Sequence, residues 1–168
     1  SGAMFVSADG GDTWTANETD AGFALPAAYG EGMFVAQGRR WNGDGFDYAC
    51  AFSGDNGDTW GACADAIQNR VGVAFGNGQF VVPADGGYLV SSDGIAWAMV
   101  ASERTVQSML YADGAWYGRG GTALFRSDDL ATWTQIADEI PGGRDWTAGF
   151  VLDSNLPVEG VELCMDNR

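Results

Sequence analysis

One short passage recurs four times along the chain, and its recurrence limits the fold more than any bulk property does. The copies are Ser7-Ala-Asp9-Gly-Gly11-Asp-Thr13-Trp14, Ser53-Gly-Asp55-Asn-Gly57-Asp-Thr59-Trp60, Ser91-Ser-Asp93-Gly-Ile-Ala-Trp97 and Ser127-Asp-Asp129-Leu-Ala-Thr-Trp133. Their tryptophans lie 46, 37 and 36 positions apart. A second passage keeps step with the first: Ala28-Tyr-Gly-Glu-Gly-Met-Phe-Val35, Ala74-Phe-Gly-Asn-Gly-Gln-Phe-Val81 and Leu110-Tyr-Ala-Asp-Gly-Ala-Trp-Tyr117. From Gly78 to Ser91 is 13 positions, and from Gly114 to Ser127 is again 13. Two patterns locked in phase define one repeating unit, and periods of this length belong to propellers and solenoids.

Within a unit, four short strands are expected. In residues 71 to 84, "VGVAFG" and "QFVVPA" flank a Gly-Asn-Gly turn, "YLVS" supplies a third strand, and the fourth starts at Trp97. Aromatic and β-branched runs bounded by Gly and Asn carry the strand signal. The recurring Ser-to-Trp passage is the turn between the third and fourth strands. A short Asp or Ser side chain there accepts backbone N–H groups that the turn leaves unpaired. Gly57 supplies a conformation that a side chain hinders. Thr59 starts the next strand, and Trp60 is placed to wedge between neighbouring sheets. A row of calcium ligands or catalytic carboxylates is the rival reading, but chemistry is rarely repeated in every structural unit.

This turn resembles the Asp box, the S-x-D-x-G-x-T-W motif of the BNR-repeat β-propellers in the sialidase-like superfamily. "SADGGDTW" and "SGDNGDTW" match fully, whereas "SSDGIAW" and "RSDDLATW" are one residue shorter, and of these two only the last keeps Thr (Thr132). The resemblance implies an all-β propeller of four-stranded antiparallel blades over residues 5–168, with residues 1–4 read as an expression scar. Residues 5 to about 18 hold the last two strands of a blade, three full units run to about 140, and "RDWTAGFVLDSNLPVEGVELC" holds the first two strands of another. Half, three and half make about four blades. The terminal halves join within one chain, or two chains close an eight-bladed homo-oligomer, or the chain is part of a longer propeller.

Charge and side-chain chemistry exclude several functions. The net charge is −15, all eight basic residues are Arg, and His is absent. A nucleic-acid partner is therefore not expected, because phosphates would add repulsion instead of releasing counterions. Without His there is no zinc–histidine centre and no Ser-His or Cys-His pair. No apolar run reaches membrane-span length, and no cofactor is expected. Cys50 and Cys63 flank the second Ser-to-Trp turn. If Ser53 faces Trp60 across that hairpin, the two cysteines face each other, and a cross-strand disulfide is expected. Two small buried thiols are the alternative. Such a disulfide points to a secreted or cell-surface protein. Cys164 has no evident partner and is expected to pack.

The first and third turns of an antiparallel unit share one face, and the second turn and the exit to the next unit share the other. In the resembled families the ligand lies on that other face. There the connection before Ser53 carries eight extra residues, in "RRWNGDGFDY" from 39 to 48. Sugars need flat apolar surfaces and planar polar groups that bond hydroxyls in pairs. Trp41, Phe46 and Tyr48 are candidates for the first, and Arg39, Arg40, Asp44 and Asp47 for the second. Alternatively the aromatics pack on the sheet and the Arg and Asp pair with one another; "NGDGFD" also faintly resembles a calcium loop. Further connections on this face (15 to 23, 64 to 70, 101 to 105 and 138 to 146) bring Arg70, Arg104, Arg144 and Trp146 into consideration. The expected function is a non-catalytic binding module for a glycan. A sialidase-like glycoside hydrolase domain and a protein-binding scaffold are the alternatives. The sialidase family implies an Arg triad and an early F/Y-R-I-P motif, and that motif is missing here.

Overall fold

The computed structural model describes residues 2–7, 9, 11–19, 23–41, 43–63 and 72–138. Among them there is no helix, and every strand pairs antiparallel with its neighbour in sequence. β1 (Gly2–Val6) and β2 (Thr15–Thr19) form a two-stranded half-sheet. Three four-stranded meanders follow. The first holds β3 (Phe23–Gly30), β4 (Met33–Trp41), β5 (Phe46–Ser53) and β6 (Gly61–Ala62). The second holds β7 (Ala74–Gly76), β8 (Gln79–Ala84), β9 (Gly87–Ser91) and β10 (Ala98–Ala101). The third holds β11 (Ser108–Ala112), β12 (Ala115–Gly120), β13 (Ala123–Ser127) and β14 (Thr134–Ala137).

These elements follow the half-plus-three order expected from the repeat, with β7 to β10 falling where the four strands of the unit were placed. Residues 2–4, read as an expression scar, take part in β1 and pair with residues 17–19. The closing pair expected in the last 30 residues, with Cys164, Arg144 and Trp146, lies outside the described residues, as does Arg70.

Local chemistry explains the hairpins. Each first-to-second connection is two residues long, with both in left-handed backbone: Glu31-Gly32 (φ 51° and 77°), Asn77-Gly78 (51° and 71°) and Asp113-Gly114 (48° and 75°). Turns of that kind carry the twist of paired strands, so they close the hairpins tightly. The register is equally regular. Phe34, Phe80 and Trp116, one on each second strand, face Ser53, Ser91 and Ser127 on the third.

Sheets pack through their first strands. The Phe75 ring of β7 lies so close over Gly30 of β3 that a Cβ there would collide with it. One unit later, Tyr111 of β11 covers Gly76 of β7 so closely that a Cβ on Gly76 would collide with it. The same aromatic-on-glycine contact thus repeats from sheet to sheet. Two apolar clusters fill the spaces behind it. Val35, Cys50, Phe80 and Val82 join the first two meanders, with Phe52 and Trp97 at the margin. Val81, Tyr88, Val106, Trp116, Phe125 and Leu130 join the last two. Tyr88 is fully buried; its hydroxyl donates to Arg104 O at 2.9 Å and accepts from Val106 N at 3.1 Å. Burial raises its pKa to about 12, so the phenol stays neutral.

Cys50 and Cys63 form the expected disulfide, with Cα atoms 5.3 Å apart. The β5–β6 register brings them opposite each other, since Ala51 faces Ala62, and Cys63 N donates to Cys50 O at 3.1 Å. Reducing this bond should lower unfolding stability by about 3 kcal/mol, the loop-closure value for its span, read from urea midpoints with and without reductant. Gly76→Ala should cost about 1–3 kcal/mol through overpacking against Tyr111. Gly45→Ala, which meets nothing within 4 Å, should leave the midpoint in place.

Candidate functional site

The four Ser-to-Trp turns share one hydrogen-bond design. In the second copy, Ser53 Oγ donates to Asp55 Oδ1 at 2.7 Å and accepts from Gly57 N at 2.8 Å. Asp55 then accepts from Thr59 N at 2.9 Å and Thr59 Oγ1 at 2.5 Å, and Trp60 Nε1 donates to Gly57 O at 3.0 Å. The first copy repeats every one of these bonds with Ser7, Asp9, Gly11, Thr13 and Trp14. In the two shorter copies, one residue fewer brings consecutive amides onto the aspartate instead. Ile95 N and Ala96 N donate to Asp93 Oδ1, and Ala131 N and Thr132 N to Asp129 Oδ1, all within 3.0 Å. The carboxylates are occupied by the chain's own backbone, as a staple requires. Among the described residues no group of three or more potential metal ligands gathers.

The tryptophans differ in what they cover. Trp133 reaches the preceding sheet, its ring 5.7 Å from that of Tyr88. Trp97 borders the cluster between the first two meanders. Gly94 O, the counterpart of the carbonyl that accepts the indole in the other copies, faces the Cys63 sulfur at 3.3 Å, and Trp97 Nε1 is buried without a partner among the described residues. Trp60 lies beside Phe34 of its own sheet, at 6.5 Å between centroids. Trp14, its counterpart beside the half-sheet, is 62% exposed.

The eight additional residues build strand more than loop. Compared with β8 and β12, β4 is longer by three residues; β5 exceeds β9 and β13 by three. The remaining two widen the turn, which spans 42–45 where the later sheets turn at 85–86 and 121–122. A connection expected as a loop is therefore a long hairpin, because the added residues alternate and pair across to one another. Its register sets Arg39 opposite Tyr48, Arg40 opposite Asp47 and Trp41 opposite Phe46. Opposed residues share a face and successive residues alternate. The positions of Arg39, Trp41, Phe46 and Tyr48 thus belong to one face, those of Arg40 and Asp47 to the other, and Asp44 sits in the turn. Seven candidates that the sequence grouped by proximity are separated by the pleat. The hairpin tip stands at the opposite end of its sheet from the Ser53-to-Trp60 turn, as meander order demands.

Of the arginines considered in the inter-unit connections, Arg104 is described. It is exposed, with its guanidinium 4.2 Å over the Phe125 ring. Its connection is tied down by Ser102 Oγ and Glu103 N, which both donate to Ala131 O. Sequence reading did not single out a cleft of about 500 Å³ between the half-sheet and the first meander, lined by Val6, Asn17, Tyr29, Phe34, Asn56 and Asp58. These residues come from separate units, so no local pattern announces them.

No protein-family model matches the chain, and no curated protein matches it.

The turn bonds carry a pH signature. Asp9 and Asp55 are held at about 2 against an ordinary 3.8, chiefly by the threonine hydroxyl and then by the threonine amide. Asp93 and Asp129 are lowered as well, first by the amides of Ala96 and Thr132. A carboxylate depressed on folding stabilises the native state above its unfolded pKa and loses that contribution as pH falls through the folded one. Thermal stability should therefore decline between pH 3.8 and about 2, and Asp55→Asn should flatten that decline while lowering the melting temperature at neutral pH.

Proposed function

We propose that this chain is an Asp-box β-propeller, or a portion of one, and that it serves as a non-catalytic binding module for a glycan. The propeller reading is supported by the full and shortened turn motifs, by four-stranded antiparallel sheets, and by one sheet-to-sheet contact used twice, since a repeated rigid step generates a ring or a solenoid. The binding reading rests on a single observation: the β4–β5 hairpin alone outgrows its counterparts among the described residues, and its extra length is filled with aromatic, Arg and Asp residues. One face of that hairpin collects the positions of two cross-strand pairs, Trp41 with Phe46 and Arg39 with Tyr48. An aromatic platform beside a guanidinium suits the C–H face and the paired hydroxyls of a sugar ring. The disulfide fits an oxidising compartment, so the expected ligands are extracellular glycans.

A glycan array identifies the ligand, and titration calorimetry then tests the site. Trp41→Ala should weaken binding roughly tenfold or more, as loss of an aromatic anchor does, with an unchanged melting temperature. Arg40→Ala, on the other face, should keep affinity within about twofold, the scale of a rim contact. Equal affinity for wild type and Trp41→Ala would refute the assignment. A silent array together with a protein captured by pull-down would favour the scaffold reading.

A further inference from the structure

The β7–β8 turn places two residues together that can react with each other. In Asn77-Gly78 the backbone nitrogen of Gly78 can close a five-membered ring on the Asn77 side-chain amide, the chemistry that makes asparagine thermolabile. Glycine leaves the approach unobstructed. Of the three equivalent turns, this one alone presents an amide: Glu31 is a carboxylate one methylene longer, and Asp113 is a carboxylate with no ammonia to release. Asn77 and Gly78 are both exposed, and a Cβ on Gly78 would meet nothing within 4 Å. Among the described residues no hydrogen bond holds the Gly78 N–H. Closure needs that nitrogen turned toward the side chain. Asn77 already has the positive φ, 51°, that turns of types I′ and II′ share; the two types differ in which way the peptide between the central residues faces. Gly78 takes either sign of φ, so this peptide can turn over while Gly76 and Gln79 stay paired.

A second Asn-Gly pair provides the contrast. Asn56-Gly57, in the second Ser-to-Trp turn, has the same left-handed backbone, φ 60° and 91°, and Asn56 is exposed as well. Gly57, however, is buried, and its N–H donates to Ser53 Oγ at 2.8 Å. Its carbonyl accepts from Trp60 Nε1 and from Asn17 Nδ2, which hold the residue from the other side. A Cβ on Gly57 would collide with Val6 of the half-sheet. Turning this peptide over would break the serine bond and leave a buried N–H unpaired. The staple that shapes the turn thus also protects its asparagine.

We propose that Asn77 is a site of spontaneous deamidation, that Ser53 guards Asn56 from the same reaction, and that the isoaspartyl product at position 77 loosens the junction of the second and third meanders. The bond from Gly78 N to Asn77 Cγ forms as the Cγ–Nδ2 bond breaks, and the Gly78 amide proton leaves with that nitrogen as ammonia. Water then opens the cyclic imide at either carbonyl, giving aspartate or isoaspartate. In isoaspartate the main chain runs through the side-chain methylene and is longer by that atom. The addition falls next to Gly76, which Tyr111 of β11 covers with no room for a Cβ, and beside the Phe75–Phe80 ring pair, 4.7 Å between centroids. No ligand takes part, so this inference stands apart from glycan binding.

The test ages the full-length protein in mildly alkaline buffer, which speeds attack by the amide nitrogen, and follows it by peptide mapping with fragmentation to assign each position. Asn77 should exchange the mass of an amino group for that of a hydroxyl at least about tenfold faster than Asn56, the rate factor of one retained hydrogen bond. In urea the two should convert at similar rates, and Ser53→Ala should raise the Asn56 rate about tenfold with Asn77 unchanged. Equal native rates at the two positions, or no native conversion of Asn77 while the urea-unfolded chain converts, would overturn the proposal, and neither result depends on a variant. The isoaspartyl form, separated by chromatography, should melt about 2–4 °C below Asn77→Asp, the shift of a modest destabilisation in a chain this long. That variant carries the same charge without the added atom, so equal melting temperatures would overturn the effect on the junction.

Discussion

In each of four turns a serine hydroxyl donates a hydrogen bond to an aspartate oxygen and accepts one from a backbone N–H in return. That exchange satisfies donors which a tight turn would otherwise leave to water, and it aims the aspartate at the amides that open the next strand. The strands on either side inherit their direction and register from it. Because the serine in each of the three full sheets also faces an aromatic residue of the second strand, the turn is coupled to the inter-sheet packing as well as to its own hairpin. Removing the aspartate would free several groups at once, whereas changing an exposed strand residue would free none. The depressed carboxylate pKa values express the same fact in the language of protons.

A meander with well-made turns still has two edges and two faces, and here the faces are resolved by a repeated contact. An aromatic residue at the end of one first strand lies on the glycine ending the previous one. Only glycine or an equally small group lets two backbones come so near, which explains why the pair Tyr-Gly or Phe-Gly precedes the turn in two units. The edges are less uniform. Outer strands such as β10 and β14 carry exposed Met99 and Ile136, while the half-sheet leaves one side of β1 beside the cleft. Function is most naturally sought where the repeat is broken, and it is broken twice: at the long β4–β5 hairpin and at the half-sheet.

Much of this fold was legible in the residues. The Ser-to-Trp passages and the Gly turns act over fewer than ten positions, so their bonds follow from short-range chemistry that spacing reveals. The Cys50–Cys63 pairing was legible for the same reason, as the symmetry of a hairpin about a known turn determines which residues oppose each other. The fate of Trp14 was not, because a ring's burial depends on which sheet approaches it from elsewhere in the chain. Nor was the cleft, whose lining comes from β1, β2, β3, β4 and the second turn together.

The long hairpin divides the two kinds of information most clearly. Sequence alone established that eight residues are added before Ser53 and that they are rich in aromatic, Arg and Asp side chains. It also established the strand order, the turn chemistry and the absence of histidine. Tertiary structure alone decided that the addition extends two paired strands, so that Arg39, Trp41, Phe46 and Tyr48 occupy positions on one face and Arg40 and Asp47 on the other. The reason is physical: composition and spacing are properties of a line, whereas the face a residue occupies depends on the partner strand that fixes its register.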